Sequence, residues 1–289
     1  MITVRGLPGT RFRNPVLLAS GTAGYGLELE GVADLDALGG VVTKCISLLP
    51  REGNPPPRVA EFAGGMINSV GLANPGLEAV RSRELPALLR RAQGRFEVIV
   101  NVVGFALDEY ARVIEGLAGL DGIAAFELNL SCPNTAHGGI EFGAEPESVA
   151  RIVRQCAAVS PRPLLAKLSP VLTDIAGIAA VAVDAGAAGV SLVNTFPGTL
   201  TEEDGVARLG AGRGGVSGPP LLPLGVLAVR QARQRLPEAL IIGLGGIRSA
   251  ADARQYLRAG ADLVAIGTAG LAEPRLPQRI ARELESDRG

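Results

Sequence analysis

Cysteine, histidine and lysine are scarce in this 289-residue chain, with three, one and two residues respectively. Three cysteines without a Cys-x-x-Cys pair offer no disulfide framework and no zinc or iron–sulfur ligand set. They point to a reducing, cytoplasmic setting. An excess of one charge is also lacking. With 28 basic and 29 acidic residues, neither a nucleic-acid surface nor an acidic tail is indicated. No uninterrupted apolar run is long enough to span a bilayer, and Met1 to Pro8 lacks the apolar core and cleavage site of a signal peptide. No paired-carboxylate signature of glycoside hydrolysis is present. What is present, at 47% hydrophobic, is the composition of a globular protein forming one large α/β domain over residues 1–289.

Of the 28 basic residues only Lys44 and Lys167 are lysines, which leaves 26 arginines. Arginine serves wherever a surface needs a positive charge; a compact ammonium on a flexible stem does something a planar guanidinium cannot. Both lysines close apolar strand candidates, in Val41-Val42-Thr43-Lys44 and Leu164-Leu165-Ala166-Lys167.

Eight such strands recur, at 16–19, 40–43, 97–100, 124–130, 163–166, 189–193, 240–244 and 263–266. Amphipathic helices over Pro146–Val159, Asp174–Ala185 and Ala250–Ala259 lie between some of them. Strands alternating with helices imply a parallel sheet covered on both sides. Eight strands close a (β/α)₈ TIM barrel, and each ends in small or polar residues, as the C-terminal mouth of such a barrel requires. The alternative is an open doubly wound sheet, whose site would sit at a single switch point. Residues 1–14 read as a hairpin lid turning at Gly9. Two insertions interrupt the alternation: about 50–76, expected as a small sheet over the mouth, and 196–218, expected as a second cap segment. Loops of that length in a compact domain are usually functional.

Gly245-Gly246 and Gly267-Thr268 end the seventh and eighth strands, where barrels commonly bind phosphate through backbone N–H groups. Tight turns without a ligand are the alternative; because the two pairs fall on the seventh and eighth strands, they are read as holding a phosphorylated cofactor or substrate. Gly210-Ala211-Gly212-Arg213-Gly214-Gly215 contains G-x-G-x-x-G, but no apolar strand precedes it and Pro219-Pro220 follows, so the dinucleotide context is missing. Cys45 and Cys156 read as packing residues, and His137 as support for a glycine-bounded flap. No metal site is expected.

The stretch Asn129-Leu130-Ser131-Cys132-Pro133-Asn134 closes the fourth strand, in which Phe126, Leu128 and Leu130 alternate with Glu127 and Asn129. Pro133 has no N–H for a ladder, so the strand stops near Cys132. Cys132 is either a small buried hydrophobe or a reactive thiol flanked by carboxamides. At the mouth collect Cys132, Lys44, Lys167, Asn68, Asn101, Asn129, Asn194, Thr195 and the glycine pairs. Many carboxamides and few carboxylates suit a planar heterocycle, since Asn both donates and accepts.

Asn-Leu-Ser-Cys-Pro-Asn at 129–134, followed by His137-Gly138-Gly139, resembles the active-site loop of class 1 dihydroorotate dehydrogenases. The likeness continues through Ala19-Ser20-Gly21, Gly53 to Arg58, Asn68 to Leu72, Ala166 to Pro170, Asn194-Thr195, Ser217-Gly218-Pro219 and Gly243 to Gly246, so it covers nearly the whole chain. The His-Gly-Gly continuation and Val59-Ala60-Glu61 are more similar to class 1B, the form linked to NAD, than to the fumarate-using class 1A.

The resemblance implies FMN in the barrel mouth and flavin-dependent oxidation of (S)-dihydroorotate to orotate in de novo pyrimidine (UMP) biosynthesis. Cys132 would remove the C5 proton while the C6 hydride passes to the flavin. Lys44 would lie between flavin and substrate, and Lys167 near the flavin ring. Asn68, Asn129, Asn194 and Thr195 would hold the orotate, with Ser69, Val70, Gly71 and Leu72 completing that pocket. Ser20, Cys45, Asn101, Val193 and Gly218 would line FMN together with Asn129, Gly245, Gly246, Gly267 and Thr268. Cys45 departs from the family, where a smaller residue is usual. The resemblance further implies a homodimer, or a heterotetramer with a separate subunit carrying FAD and an iron–sulfur cluster. A class 1A-like enzyme or a related dihydropyrimidine oxidoreductase remains open. So do a non-redox isomerase or lyase on a phosphorylated substrate and a flavin-less scaffold.

Overall fold

The computed structural model describes residues 1–130, 133–134 and 140–286. Eight strands close a parallel barrel: β1 (Val16–Leu18), β2 (Gly40–Val42), β3 (Glu97–Val102), β4 (Ile123–Asn129), β5 (Leu164–Leu168), β6 (Gly189–Leu192), β7 (Leu240–Leu244) and β8 (Leu263–Ile266). Each is hydrogen-bonded to its sequence neighbours, and β1 pairs with β8 to close the ring. This is the (β/α)₈ architecture expected from the eight strand candidates. The helices over Pro146–Val159 and Ala250–Ala259 have the expected limits, and the third runs Ile175–Asp184 with Asp174 as its N-cap.

Period-two alternation sorts the strand side chains onto two faces. Val98, Val100, Phe126, Leu128, Ala166 and Val190 are buried outward among the helices. Leu17, Val42, Ile99, Ala125, Leu165, Leu240, Ile242 and Leu263 pack together inside the ring. The apolar face of β4 is therefore the outer one, and Glu127 and Asn129 belong to the inner face. Toward the mouth the inner rows change character, from Ile99 to Asn101, from Ala125 to Glu127 and Asn129, and from Leu165 to Lys167.

The N-terminal hairpin is present, with Ile2 and Phe12 bridged antiparallel and Thr10 N–H donating to Leu7 O. Its position corrects the expectation of a lid. Leu7 and Phe12 are buried with Leu240 and Leu263, the first residues of β7 and β8. Gly6 abuts the carbonyl of Ala188, just ahead of β6. The segment is a plug in the barrel floor, opposite the mouth, because two large apolar side chains there find the open end of the interior core.

The two insertions form one structure where two were expected. Strands Val59–Phe62 and Gly65–Asn68 from the first, and Phe196–Gly198 and Gly214–Ser217 from the second, build a single four-stranded antiparallel sheet. The G-x-G-x-x-G stretch runs into the strand Gly214–Ser217 and opens no helix, which removes the dinucleotide reading. Among the described residues no helix is long and apolar enough to cross a membrane.

Candidate active site

Between the C-terminal strand ends and the cap sheet lies a cavity of about 1100 Å³. That is just above the range small-molecule sites usually have, room for a nucleotide-sized ligand and a second small ring. Lys44, Asn129, Lys167, Val193, Asn194 and Thr195 reach its wall from the barrel, and Asn68, Ser69, Val70, Gly71 and Leu72 from the first insertion. Ser20, Cys45, Gly218, Gly245, Gly246, Gly267 and Thr268 also line it. Asn101 does not. It is level with Glu127 in the β3–β4 register, two residues below Asn129, and its side chain is buried behind the wall. Cys132 and the flap residues His137, Gly138 and Gly139 lie outside the described residues.

Local structure sets the polar wall. Asn194 Nδ2 donates to Asn129 Oδ1 at 3.1 Å, and Thr195 N–H donates to Asn194 Oδ1 at 2.8 Å. Tyr110 Oη donates to the Asn129 carbonyl at 2.9 Å, anchoring the end of β4 from the helix Glu109–Leu117. From the cap, Asn68 Nδ2 donates to Gly215 O at 3.3 Å and Asn54 Nδ2 to Ser69 Oγ at 2.7 Å. Leu72 has a φ of 58°, the one positive φ among described non-glycine residues. Such a conformation costs roughly 1–3 kcal/mol and is kept where the surroundings over-determine it.

The opposite end of the cavity is backbone. Gly245 and Gly246 have φ of 118° and 73°, and a Cβ on Gly246 would lie 2.6 Å from Leu222 N, so only glycine fits there. Among the described residues nothing accepts a hydrogen bond from the N–H groups of Gly246 and Ile247. Two unpartnered donors on adjacent residues make a concavity suited to an anion. The loop is held from both sides. Ser249 caps the helix Ala250–Ala259 by accepting from Asp252 N–H, and Asp252 accepts from Arg248 N–H, a reciprocal cap. Tyr256 Oη donates to Leu244 O at 3.0 Å and Gly245 O at 2.7 Å. At Gly267 a Cβ would make only ordinary contacts, 3.7 Å to Ala19, so protein packing does not exclude a side chain there. The space is left for an occupant.

Beneath the wall is a network that sequence reasoning missed. Glu127, about 2% exposed, accepts from Asn101 Nδ2 at 2.7 Å and from Ser191 Oγ at 2.6 Å, and its Oε1 lies 3.8 Å from Lys167 Nζ. Asn101 Oδ1 is left with no hydrogen-bond partner, and leaving a buried acceptor unpaired costs about 1–3 kcal/mol. The missed signal was the inward row of β4, where Glu127 precedes Asn129 by two. Arg51, stacked 3.8 Å over the Phe105 ring, also reaches the wall; no motif marked it. Cys45 is buried at the wall and burial pushes its thiol up to about 11, against the lowering pull of Lys44 and Lys167. Cys156 is buried in the helix Pro146–Val159, and burial alone raises it to about 12. Both thiols stay protonated at neutral pH.

Barrel and mouth together define a (β/α)₈ protein with a ligand site at the C-terminal strand ends, one end rich in carboxamides and the other built of glycine backbone. The dihydroorotate dehydrogenase family matches residues 2–287, and the chain belongs to that family. It is 48% identical over 279 residues to a protein of Solibacter usitatus named putative dihydroorotate dehydrogenase A (fumarate), covering 96% of this chain and 90% of that one. It is 46% identical over 286 residues to the dihydroorotate dehydrogenase B (NAD(+)) catalytic subunit of Desulforudis audaxviator, covering 98% and 91%. With the protein of the same name from Latilactobacillus sakei it shares 41% over 282 residues, covering 97% and 91%.

Proposed function

We propose that this chain oxidises (S)-dihydroorotate to orotate in pyrimidine biosynthesis, with FMN as the flavin the family implies. The observation that carries the reading is the cavity itself. One wall gathers Lys44, Asn68, Asn129, Asn194 and Thr195, and the other end presents the Gly245-Gly246 backbone. The unpartnered N–H donors, the space beside Gly267 and the buried ammonium of Lys167 fit a phosphorylated flavin. When bound, the flavin supplies a hydride acceptor for C6 of the substrate.

The chain's own groups do the remainder. Carboxamides of Asn68, Asn129 and Asn194 hold the ring, since each both donates and accepts. Lys44 and the backbone from Ser69 to Leu72 bind the substrate's anionic edge. Ser20, Cys45 and Val193 flank the flavin ring, with Asn101 supporting from behind, while Gly218, Gly245, Gly246, Gly267 and Thr268 take the nucleotide end. Cys132 removes the C5 proton. A thiol with an ordinary value of about 8.5 is a serviceable base where its site favours the thiolate.

The test is anaerobic mixing of the purified yellow protein with dihydroorotate. Wild type bleaches; Cys132→Ala retains flavin but bleaches at least a hundredfold more slowly; Cys132→Ser is slow at neutral pH and gains as pH rises. Equal rates for wild type and Cys132→Ala would remove the thiol from its role.

For the electron acceptor we favour NAD reached through a partner subunit carrying FAD and an iron–sulfur cluster, in a heterotetramer built on a homodimer of this chain. The chain has three cysteines in all, fewer than the four that ligate a cluster, and Cys45 and Cys156 are buried apart, one in the loop after β2 and one in the helix Pro146–Val159. Fumarate is the second reading, favoured by the identity to the relative named for it. Turnover with fumarate alone would decide for the latter; turnover with NAD only after a partner is added would decide for the former.

A further inference from the structure

Glu127 carries the most chemistry of any side chain without a role above. Its carboxylate is held from three other strands: Asn101 of the adjacent β3 and Ser191 of β6, one strand further round, donate to its two oxygens, and Lys167 of the adjacent β5 stands 3.8 Å from Oε1. A carboxylate tied from that many directions has one position. Lys167 itself is on the cavity wall, so its ammonium has Glu127 on one side and the bound ligand on the other. At 3.8 Å the contact is an ion pair and too long for a hydrogen bond, which leaves the ammonium's donors for the occupant. Both side chains are more than nine-tenths buried, where charges are poorly screened and act strongly on one another.

We propose that Glu127 is a positioning residue: its buried carboxylate holds the Lys167 ammonium at the flavin and offsets part of its charge, which sets how much more tightly the cavity holds reduced than oxidised flavin. The reduced ring carries more negative charge, so an uncompensated ammonium favours it and a compensated one favours it less. The inference rests on the reading that the cavity takes a flavin. A colourless wild-type protein that cannot be reconstituted with FMN overturns that reading, whereas the outcomes below overturn this inference alone.

The experiment measures the flavin midpoint potential by equilibration with reference dyes in the full-length flavoprotein, for wild type, Glu127→Gln, Glu127→Asp, Lys167→Gln and the double variant Glu127→Gln/Lys167→Gln. Glu127→Gln keeps the side-chain volume and removes the charge. It should raise the preference for reduced flavin about tenfold, which is ~30 mV for a two-electron couple. Less than threefold overturns the proposal. Glu127→Asp, which keeps the charge, should stay within threefold of wild type; behaviour like Gln would mean packing and overturn it. In the Lys167→Gln background, Glu127→Gln should shift the preference less than threefold. A shift as large as in wild type would mean that the carboxylate acts on the flavin directly and not through Lys167. Should Glu127→Gln fail to fold alone, Glu127→Ala, which also removes the charge while leaving Lys167 in place, is measured against wild type and read by the same thresholds.

Discussion

Tyr256→Phe isolates one hydrogen-bond donor that holds the glycine end of the site. The phenol is fully buried, and its single O–H is shared between Leu244 O and Gly245 O. Leu244 O keeps a second donor, the N–H of Val193 at 2.9 Å. The Gly245 carbonyl, half-buried at the cavity wall, loses its phenol. One net hydrogen bond is worth about 1 kcal/mol, and a half-buried carbonyl without its donor bears only part of the about 1–3 kcal/mol that a buried one would cost, so the loop is loosened by about 1–2 kcal/mol. If the loop must be ordered to bind, apparent affinity falls with the ordered fraction, and a loss of 1.4 kcal/mol is about tenfold. Tyr256→Phe should therefore weaken FMN binding by up to about tenfold in fluorescence titrations of apoprotein, with thermal unfolding lowered by only a few degrees. Gly225, in the helix Leu221–Arg235, supplies the control. A Cβ there would clash with Tyr256 Oη and stand 3.0 Å from Leu244 O. Gly225→Ala should cost roughly 1–3 kcal/mol by overpacking, and clearly less on the Tyr256→Phe background, a coupling of at least about 0.5 kcal/mol. FMN affinity within twofold of wild type in Tyr256→Phe, or strict additivity with Gly225→Ala, would refute the reasoning.

Gly246→Ala introduces both a left-handed backbone strain at φ 73° and a Cβ 2.6 Å from Leu222 N; the protein should still fold but retain little flavin after desalting, as judged by its absorbance spectrum. Alkaline pH should destabilise the chain through its buried thiols. Burial raises Cys45 and Cys156 from the ordinary thiol value to about 11 and about 12, so the folded state binds more protons than the unfolded one above about pH 9. Their contribution is complete below about pH 9 and is lost as pH climbs through the raised values. Chemical denaturation midpoints should fall across that window, and a Cys45→Ala/Cys156→Ala variant should fall less.

The barrel was legible because its rules are local. Apolar runs of four or five residues such as Leu240–Leu244, each ending in glycine or a polar residue, mark strand limits without knowledge of their neighbours. Asp174 and Ser249 mark helix starts in the same way. The wall residues followed because strand ends are where (β/α)₈ sites form. Relations between distant segments were not legible. The two insertions share one sheet because Gly215 finds Asn68 across 147 residues, and no local pattern states that pairing. The hairpin was placed at the wrong end because amphipathicity shows that Leu7 and Phe12 need burial, not which opening of the ring they fill. Asn101 has the correct inward parity, yet its amide is drawn to Glu127, a partner on another strand.

The same parity argument explains why Glu127 and Lys167 belong to function more than to stability. Barrel interiors are normally filled with layers of branched apolar side chains, and the deeper layers here obey: Leu17, Ile99, Leu165, Ile242 and Leu263, plugged by Leu7 and Phe12. Under the mouth the pattern breaks to an ion pair with an orphaned Asn101 oxygen beside it. Well-packed apolar residues in place of such a buried pair are often neutral or stabilising, so a fold selected for stability alone had a cheaper solution at hand. The pair sits instead where an ammonium can face a ligand that changes its charge during the reaction, and the carboxylate stands behind it, on the side away from that ligand.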